Sequence, residues 1–254
     1  MKQLSLLLVA ACALFLTSCD TTREITINED GGGTVVTTAD MSALIGLAKM
    51  AGQDKDMDKM KDAAKDTTMS LANIVDSVQG FTAEEKALVK NGTVNLKMNL
   101  DDEKFLIKVA IPYTGMDKLG QVEQLSGKML TQSMKKAMDA AGEEAKQQMG
   151  EEEMPEGSLD DYFTMTYTKG KISRTLNAAK YADLDNDKGM QAMKEMSQQG
   201  MPVTTTLIFN LPKAAKKAEG KNVKLSDDKK KVTINSDLDD FFSDGKKLEF
   251  VIEY

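Results

Sequence analysis

Apolar positions along this chain recur with two periods, and the switches between them mark its elements. Every second position is apolar in 94–100 (Val94, Leu96, Met98, Leu100) and in 105–111 (Phe105, Ile107, Val109, Ile111), with Asp101 and Asp102 between them. That is a β-hairpin with one buried face. Residues 24–28 and 34–38 read as an earlier pair of strands around Glu29, Asp30, Gly31, Gly32 and Gly33, and 162–177 as a later pair turning at Lys169 and Gly170. Three more strands are expected near the C-terminus. One carries Val203, Leu207, Phe209 and Leu211, one Val232 and Ile234, and the last Leu248, Phe250, Ile252 and Tyr254, with a helical turn at 238–242.

Helical spacing appears between the strands. Asp40 is placed to cap a helix carrying Met41, Leu44, Ile45 and Ala48, and a stripe returns with Leu71, Ile74, Val75 and Val78. The intervening 52–67 is nearly all charged or small and predicts an exposed helix or a connection. Thr82 followed by Glu85 reads as a capping box for a short helix to Lys90. Longer helices are expected over 116–149 (Leu130, Met134, Met138, Ala141, Ala145) and 186–199, separated by the acidic loop 150–161 with Pro155 and Gly157. Three times a hairpin leads into a helix, at 24–50, 92–149 and 162–199, without residue identity among the three. The implied fold is α+β: an antiparallel sheet built from β-hairpins, with amphipathic helices packed on one face.

The apolar run at 4–16 follows neither period. With Lys2 before it and no charge within it, it is long enough for the core of a signal peptide. A membrane-spanning helix needs about 20 apolar residues. It ends in Leu16, Thr17, Ser18 and Cys19, which resembles the bacterial lipobox: an aliphatic residue, two small ones, then the cysteine whose thiol takes a diacylglycerol. The expected organisation is a signal peptide over 1–18, a lipidated tether over 19–24 and a single domain over 25–254. Multiple acyl chains anchor stably because each buried methylene contributes about 0.8 kcal/mol.

Composition narrows the chemistry. Cys12 lies within the signal core, so Cys19 is the one cysteine of the mature chain and no disulfide is expected. About 235 mature residues suffice for a core without one. Loss of Lys2 takes the formal charge from −7 to −8, which disfavours nucleic acid as a partner. With no histidine and no free thiol, serine–histidine and cysteine–histidine catalysis and ordinary zinc sites are excluded.

The segment Arg23, Glu24, Ile25, Thr26, Ile27, Asn28, Glu29, Asp30, Gly31, Gly32, Gly33, Thr34 resembles the opening hairpin of LppM-type bacterial lipoproteins. Strand 203–211, a connection with lysine and glycine, 228–234 and a closing strand are similar to the ending of many uncharacterised Bacteroidota lipoproteins. The resemblance covers about a third of the chain. It implies a lipid-anchored envelope protein handling a lipid or glycolipid. The chain departs from that pattern by lacking a C-terminal membrane helix and by its inserts at 50–90 and 115–150.

Candidate sites each have a plainer explanation. Asp183, Asp185 and Asp187 alternate as in calcium loops, but the glycine and glutamate of that motif fall one residue late, at Gly189 and Glu195. Capping of the following helix explains the same acids. Met190, Met193 and Met196, with Met201, present soft thioethers of the kind that hold Cu(I). With 18 methionines in the chain, core filling or a partner face accounts for them as well. Residues 213–231 hold eight lysines against Glu219, Asp227 and Asp228. That segment reads as a solvated surface protecting a strand edge, or as a contact to anionic headgroups near the anchor. The acids of 151–161 do not assemble a paired-carboxylate site on sequence grounds.

The expected protein is a non-enzymatic lipoprotein of the cell envelope, without cofactor. It is held to a membrane, the outer one favoured, and faces the periplasm or the surface. It binds a lipid or other hydrophobic ligand, or it serves as an interaction component of an envelope assembly.

Overall fold

The computed structural model describes residues 19–42, 45, 66–77, 80–140, 159–198 and 203–254. The signal peptide expected over 1–18, most of the helix expected after Asp40, residue 78, the helix expected beyond 140 and the acidic loop up to 158 lie outside them, as do residues 199–202 with Met201. The fold is α+β. The strands are β1 (Cys19–Ile27), β2 (Gly33–Asp40), β3 (Thr67–Ser70), β4 (Thr93–Asn99), β5 (Lys104–Tyr113), β6 (Phe163–Thr168), β7 (Lys171–Leu176), β8 (Val203–Asn210), β9 (Lys217–Gly220), β10 (Val223–Leu225), β11 (Lys231–Asp237) and β12 (Phe250–Glu253). The helices are α1 (Ala83–Val89), α2 (Met116–Ala140), α3 (Ala178–Ala182), α4 (Lys188–Gln198) and α5 (Leu238–Ser243).

An eight-stranded sheet in the order β10-β11-β8-β1-β2-β5-β4-β3 carries most of the body, and a second sheet has the order β6-β7-β12-β9. The hairpins form as their alternation requires. In β1, Arg23, Ile25 and Ile27 face the core, while Thr22, Glu24 and Thr26 lie on the other side. The turn after β1 depends on glycine. Gly31 stands at φ +88, and a Cβ on Gly33 would lie 1.8 Å from the Thr26 carbonyl oxygen. The capping box at Thr82 also forms, each partner donating its backbone N–H to the other's side chain.

Four expectations are corrected. Residues 19–24 are strand rather than tether, since β1 pairs from Asp20 with Asp40 of β2 and from Cys19 with Val203 of β8. The β1–β8 pairing is parallel, so the sheet is mixed; the strand order, set by chain crossing, has no local signature. The stripe at 71–75 forms two 3-10 turns, Leu71–Asn73 and Val75–Ser77, with Leu71 and Val75 buried. Strands β3 and β9 occupy polar stretches that show no alternation, and β10 is only the three residues Val223, Lys224 and Leu225, too short for its alternation to mark a strand.

Helices are also not the sole cover of the large sheet's inner face. Leu119, Val122, Leu125, Met129 and Leu130 of α2 pack on β2 and β5, and Ile172, Phe250 and Ile252 of the small sheet join the same buried cluster as Leu207 and Phe209 of β8 and Val232 and Ile234 of β11. The Phe209 and Phe250 rings meet at 5.9 Å. A second cluster surrounds Phe241, whose ring contacts Tyr162, Phe163, Tyr181 and Phe242 at 5.2 to 6.0 Å.

Candidate functional site

The densest chemistry among the described residues lies where the two sheets and α2 meet. Arg23 occupies a core-facing position of β1, between Thr37 of β2 and Leu207 of β8. The helix α2 crosses above this row and presents Glu123 and Ser126 from the same face as its buried leucines. Arg23 Nη1 donates to Glu123 Oε1 at 2.8 Å and to Asp160 Oδ2 at 2.7 Å, Asp160 coming from the 3-10 turn Leu159–Tyr162. The hydroxyls of Thr37 and Ser126 lie 2.7 Å apart beneath the helix. Tyr167 of β6 donates to the other oxygen of Glu123. Arg174 of β7 packs its guanidinium 3.9 Å from the Phe163 ring centroid and donates from Nη1 to Ser236 Oγ at 3.4 Å. Its Nη2 stands 3.9 Å from Asp160 Oδ1, so one carboxylate bridges both guanidinium groups.

These groups are withdrawn from water: Arg174, Glu123 and Arg23 are 2%, 5% and 8% exposed. Two cations and two carboxylates leave the cluster formally neutral, the condition for burying such charges. The protons are held firmly. Burial acts against the charge on Arg23, but Asp160 and Glu123 outweigh it and raise the group further above its ordinary value. Burial likewise acts against the charge on Asp160, and the two arginines prevail, holding it below the usual carboxylate range. Burial first, then the Glu123 carboxylate, pushes the Tyr167 phenol well above its ordinary value. Burial lowers Arg174, with Asp160 acting against it. Arg23, Tyr167 and Asp160 are thus each driven away from neutrality, the opposite of what a general acid or base needs. Arg23 Nε and Arg174 Nε and Nη2 are buried without a hydrogen-bond partner, so the donors outnumber the acceptors present. The arrangement is a clamp across three layers.

No motif marked these residues as one site, Arg23 standing only in the first hairpin and Asp160 only among the acids of 151–161, yet a signal exists. Of 33 basic side chains only two are arginine, Arg23 and Arg174, and each sits at an inward position of an alternating strand. Arginine tolerates this because its planar, weakly hydrated fork satisfies several acceptors at once, whereas lysine carries a compact and strongly hydrated charge.

The sites expected from sequence fall elsewhere. Asp187 accepts from the backbone N–H of Met190 at 3.0 Å and from the Tyr162 hydroxyl at 2.6 Å, so it caps α4. Asp183 accepts from Asn186 Nδ2 at 2.6 Å, and Asp185 lies exposed in the turn Leu184–Asn186. Among the described residues no group of three or more acids is arranged to hold a metal ion. Met190 is fully buried in the cluster around Phe241, with Met193 at its border; the Met196 side chain lies outside the described residues. The hairpin that carries the resemblance to LppM-type lipoproteins is β1, its turn and β2.

The lysine-rich segment 213–231 runs through β9 and β10 to the start of β11. Lys231 pairs with Asn210 and Asn210 with Thr26, so the 229–231 part of the segment closes the end of the sheet opposite Cys19, while Lys224 lies level with Glu24. Seven residue steps at about 3.3 Å put Lys231 about 23 Å from Cys19 along the strands. An open depression of about 350 Å³ lies beside the small sheet, rimmed by Lys221, Lys246 and Lys247 with Glu219 and Glu249. Lys221 and Lys247 are already drawn to Asp240, at 2.7 and 3.7 Å.

Comparison of the chain with protein-family models, with characterised proteins and with solved structures finds no match.

Proposed function

We propose that this chain is a lipid-anchored envelope protein that works by binding rather than catalysis. Its partner is another envelope component rather than a lipid held in a groove. The observation that carries this reading is that Cys19, the last residue of the lipobox-like sequence, opens the central strand β1. Acylated there, the domain would be joined to the membrane without slack, its sheet standing directly on the anchor. Two further features support a binding role. The strongest cluster of charges is self-neutralising, with Arg23, Glu123 and Arg174 buried. The inner face of the large sheet is covered by α2 and by the small sheet, whose apolar residues join it in one buried cluster. No helix among them is long and apolar enough to cross a membrane, so the lipid would be the means of attachment for that part of the chain.

The test is expression of the full precursor in a bacterial host with labelled palmitate, followed by fractionation and native mass spectrometry. Label in the wild type, its loss in Cys19→Ala and release of that variant from membranes are the expected results. An unlabelled, soluble wild type would end the anchored reading. A stoichiometric lipid retained by the Cys19→Ala protein would replace the partner reading with the lipid-binding one.

A further inference from the structure

At the end of the sheet remote from Cys19, the chain displays lysines on a rigid frame. Leu211 N–H donates to the Lys230 carbonyl at 2.7 Å and Ala215 N–H to the Lys229 carbonyl at 2.8 Å, tying two connecting segments together. Lys229 holds a left-handed backbone, φ 56, at a turn closed by its N–H to the Ser226 carbonyl. Ser226 Oγ accepts from Lys231 N–H at 2.9 Å. Lys213, Lys224, Lys229, Lys230 and Lys231 are all exposed, and among the described residues no ion pair engages them. Solubility does not explain this array. The chain carries a formal charge of −7, so cations gathered at one pole reduce its net charge while repelling one another. Edge protection accounts for Lys224 on the edge strand β10, but Lys213, Lys229 and Lys230 lie on connections.

We propose that this lysine cap is a docking surface for a carboxylate-bearing polymer of the cell wall. The inference rests on the anchored reading for its choice of partner. Lys231 lies about 23 Å from the acylated end and Lys224 about 16 Å, both beyond the Debye length of about 8 Å over which headgroups would be felt. The Cys19 end carries Asp20 and Asp40 side by side across β1 and β2, with Asp237 on the same row. The cap therefore faces away from the membrane that holds the lipid. All its cations are lysine, which suits diffuse attraction to a polyanion rather than bidentate recognition of one group. Residues 212–231 contain no aromatic ring, so neither sugars nor bases are stacked there.

The mature protein, purified from a lipidating host and reconstituted in phosphatidylcholine vesicles, is mixed with purified peptidoglycan sacculi and sedimented. The expected result is retention that falls about tenfold when Lys213, Lys224, Lys229, Lys230 and Lys231 are all changed to glutamine, and weakens likewise as salt rises. The same five positions changed to arginine should retain binding, and circular dichroism should show both variants folded. Absence of wild-type binding, or a glutamine variant that binds like wild type, overturns the proposal. So does cap-dependent binding that appears only on phosphatidylglycerol vesicles. If the protein proves not to be acylated, the soluble form enters the same assay, so failure of the anchor and failure of the cap are read separately.

Discussion

At the residue scale the two arginines dominate. Arg23→Ala would leave Glu123 and Asp160 without their common partner in a site nearly closed to water. Breaking a buried ion pair from one side costs about 3–5 kcal/mol, and urea denaturation should show a loss of that order. Arg23→Lys should recover only part of it, because one ammonium has to replace a group that reaches both carboxylates. Asp160 adds a pH dependence. Its pKa is lowered on folding, so its contribution is complete above the unfolded value near 4 and is lost as pH falls through the lower folded value. Asp160→Asn should flatten the acid limb of the stability profile while lowering stability at neutral pH; an unchanged acid limb would count against the bridge. Tyr167 acts with the opposite sign. Its phenol is raised on folding, so its contribution persists below about pH 10 and disappears as pH climbs towards the raised value. Tyr167→Phe should make alkaline unfolding less steep.

At the scale of elements, two local devices are open to test. Thr82→Ala removes the acceptor for the Glu85 N–H, and a lost cap of this kind costs about 1 kcal/mol. The effect should stay local, with faster amide exchange in α1 and little change elsewhere. Gly33→Ala is a different case, because its Cβ would fall on the Thr26 carbonyl. Strand β1 would have to leave β2, and since β1 also holds β8, the variant should fail to reach the native fold. A well-folded Gly33→Ala protein would contradict the register of the first hairpin.

Across the whole molecule, the two sheets share one buried cluster, and the arginine clamp links β1, α2 and β7 across it. Unfolding should therefore be a single calorimetric transition, with calorimetric and van't Hoff enthalpies agreeing. Two transitions would mean that the cluster around Phe241 unfolds separately. The orientation proposed for the anchored protein has its own consequence. A fluorophore at position 228 should escape quenching by bilayer-embedded quenchers, whereas one at 102 should be quenched. The 101–103 turn lies at the Cys19 end, where Leu106 pairs with Asp40 and Asp40 with Asp20.

Local pattern by itself determined a good deal of this protein. The alternation at 94–111, the turn residues at 29–33 and the capping box at Thr82 each act within a few residues, so their chemistry is written where it operates. The α+β class followed from the same signals. Only the tertiary structure decided the rest. The parallel pairing of β1 with β8 joins residues more than 180 apart, and the division into two sheets is set by which strands find partners. Strands β3 and β9 exist because a neighbour offers hydrogen bonds, not because their own residues alternate, and β10 is too short for its pattern to announce it. The clamp assembles Arg23, Glu123, Asp160, Tyr167 and Arg174 from five separate elements. No spacing in a linear chain encodes that meeting, and the sequence offered a single trace of it: two inward arginines in a chain otherwise supplied with lysine.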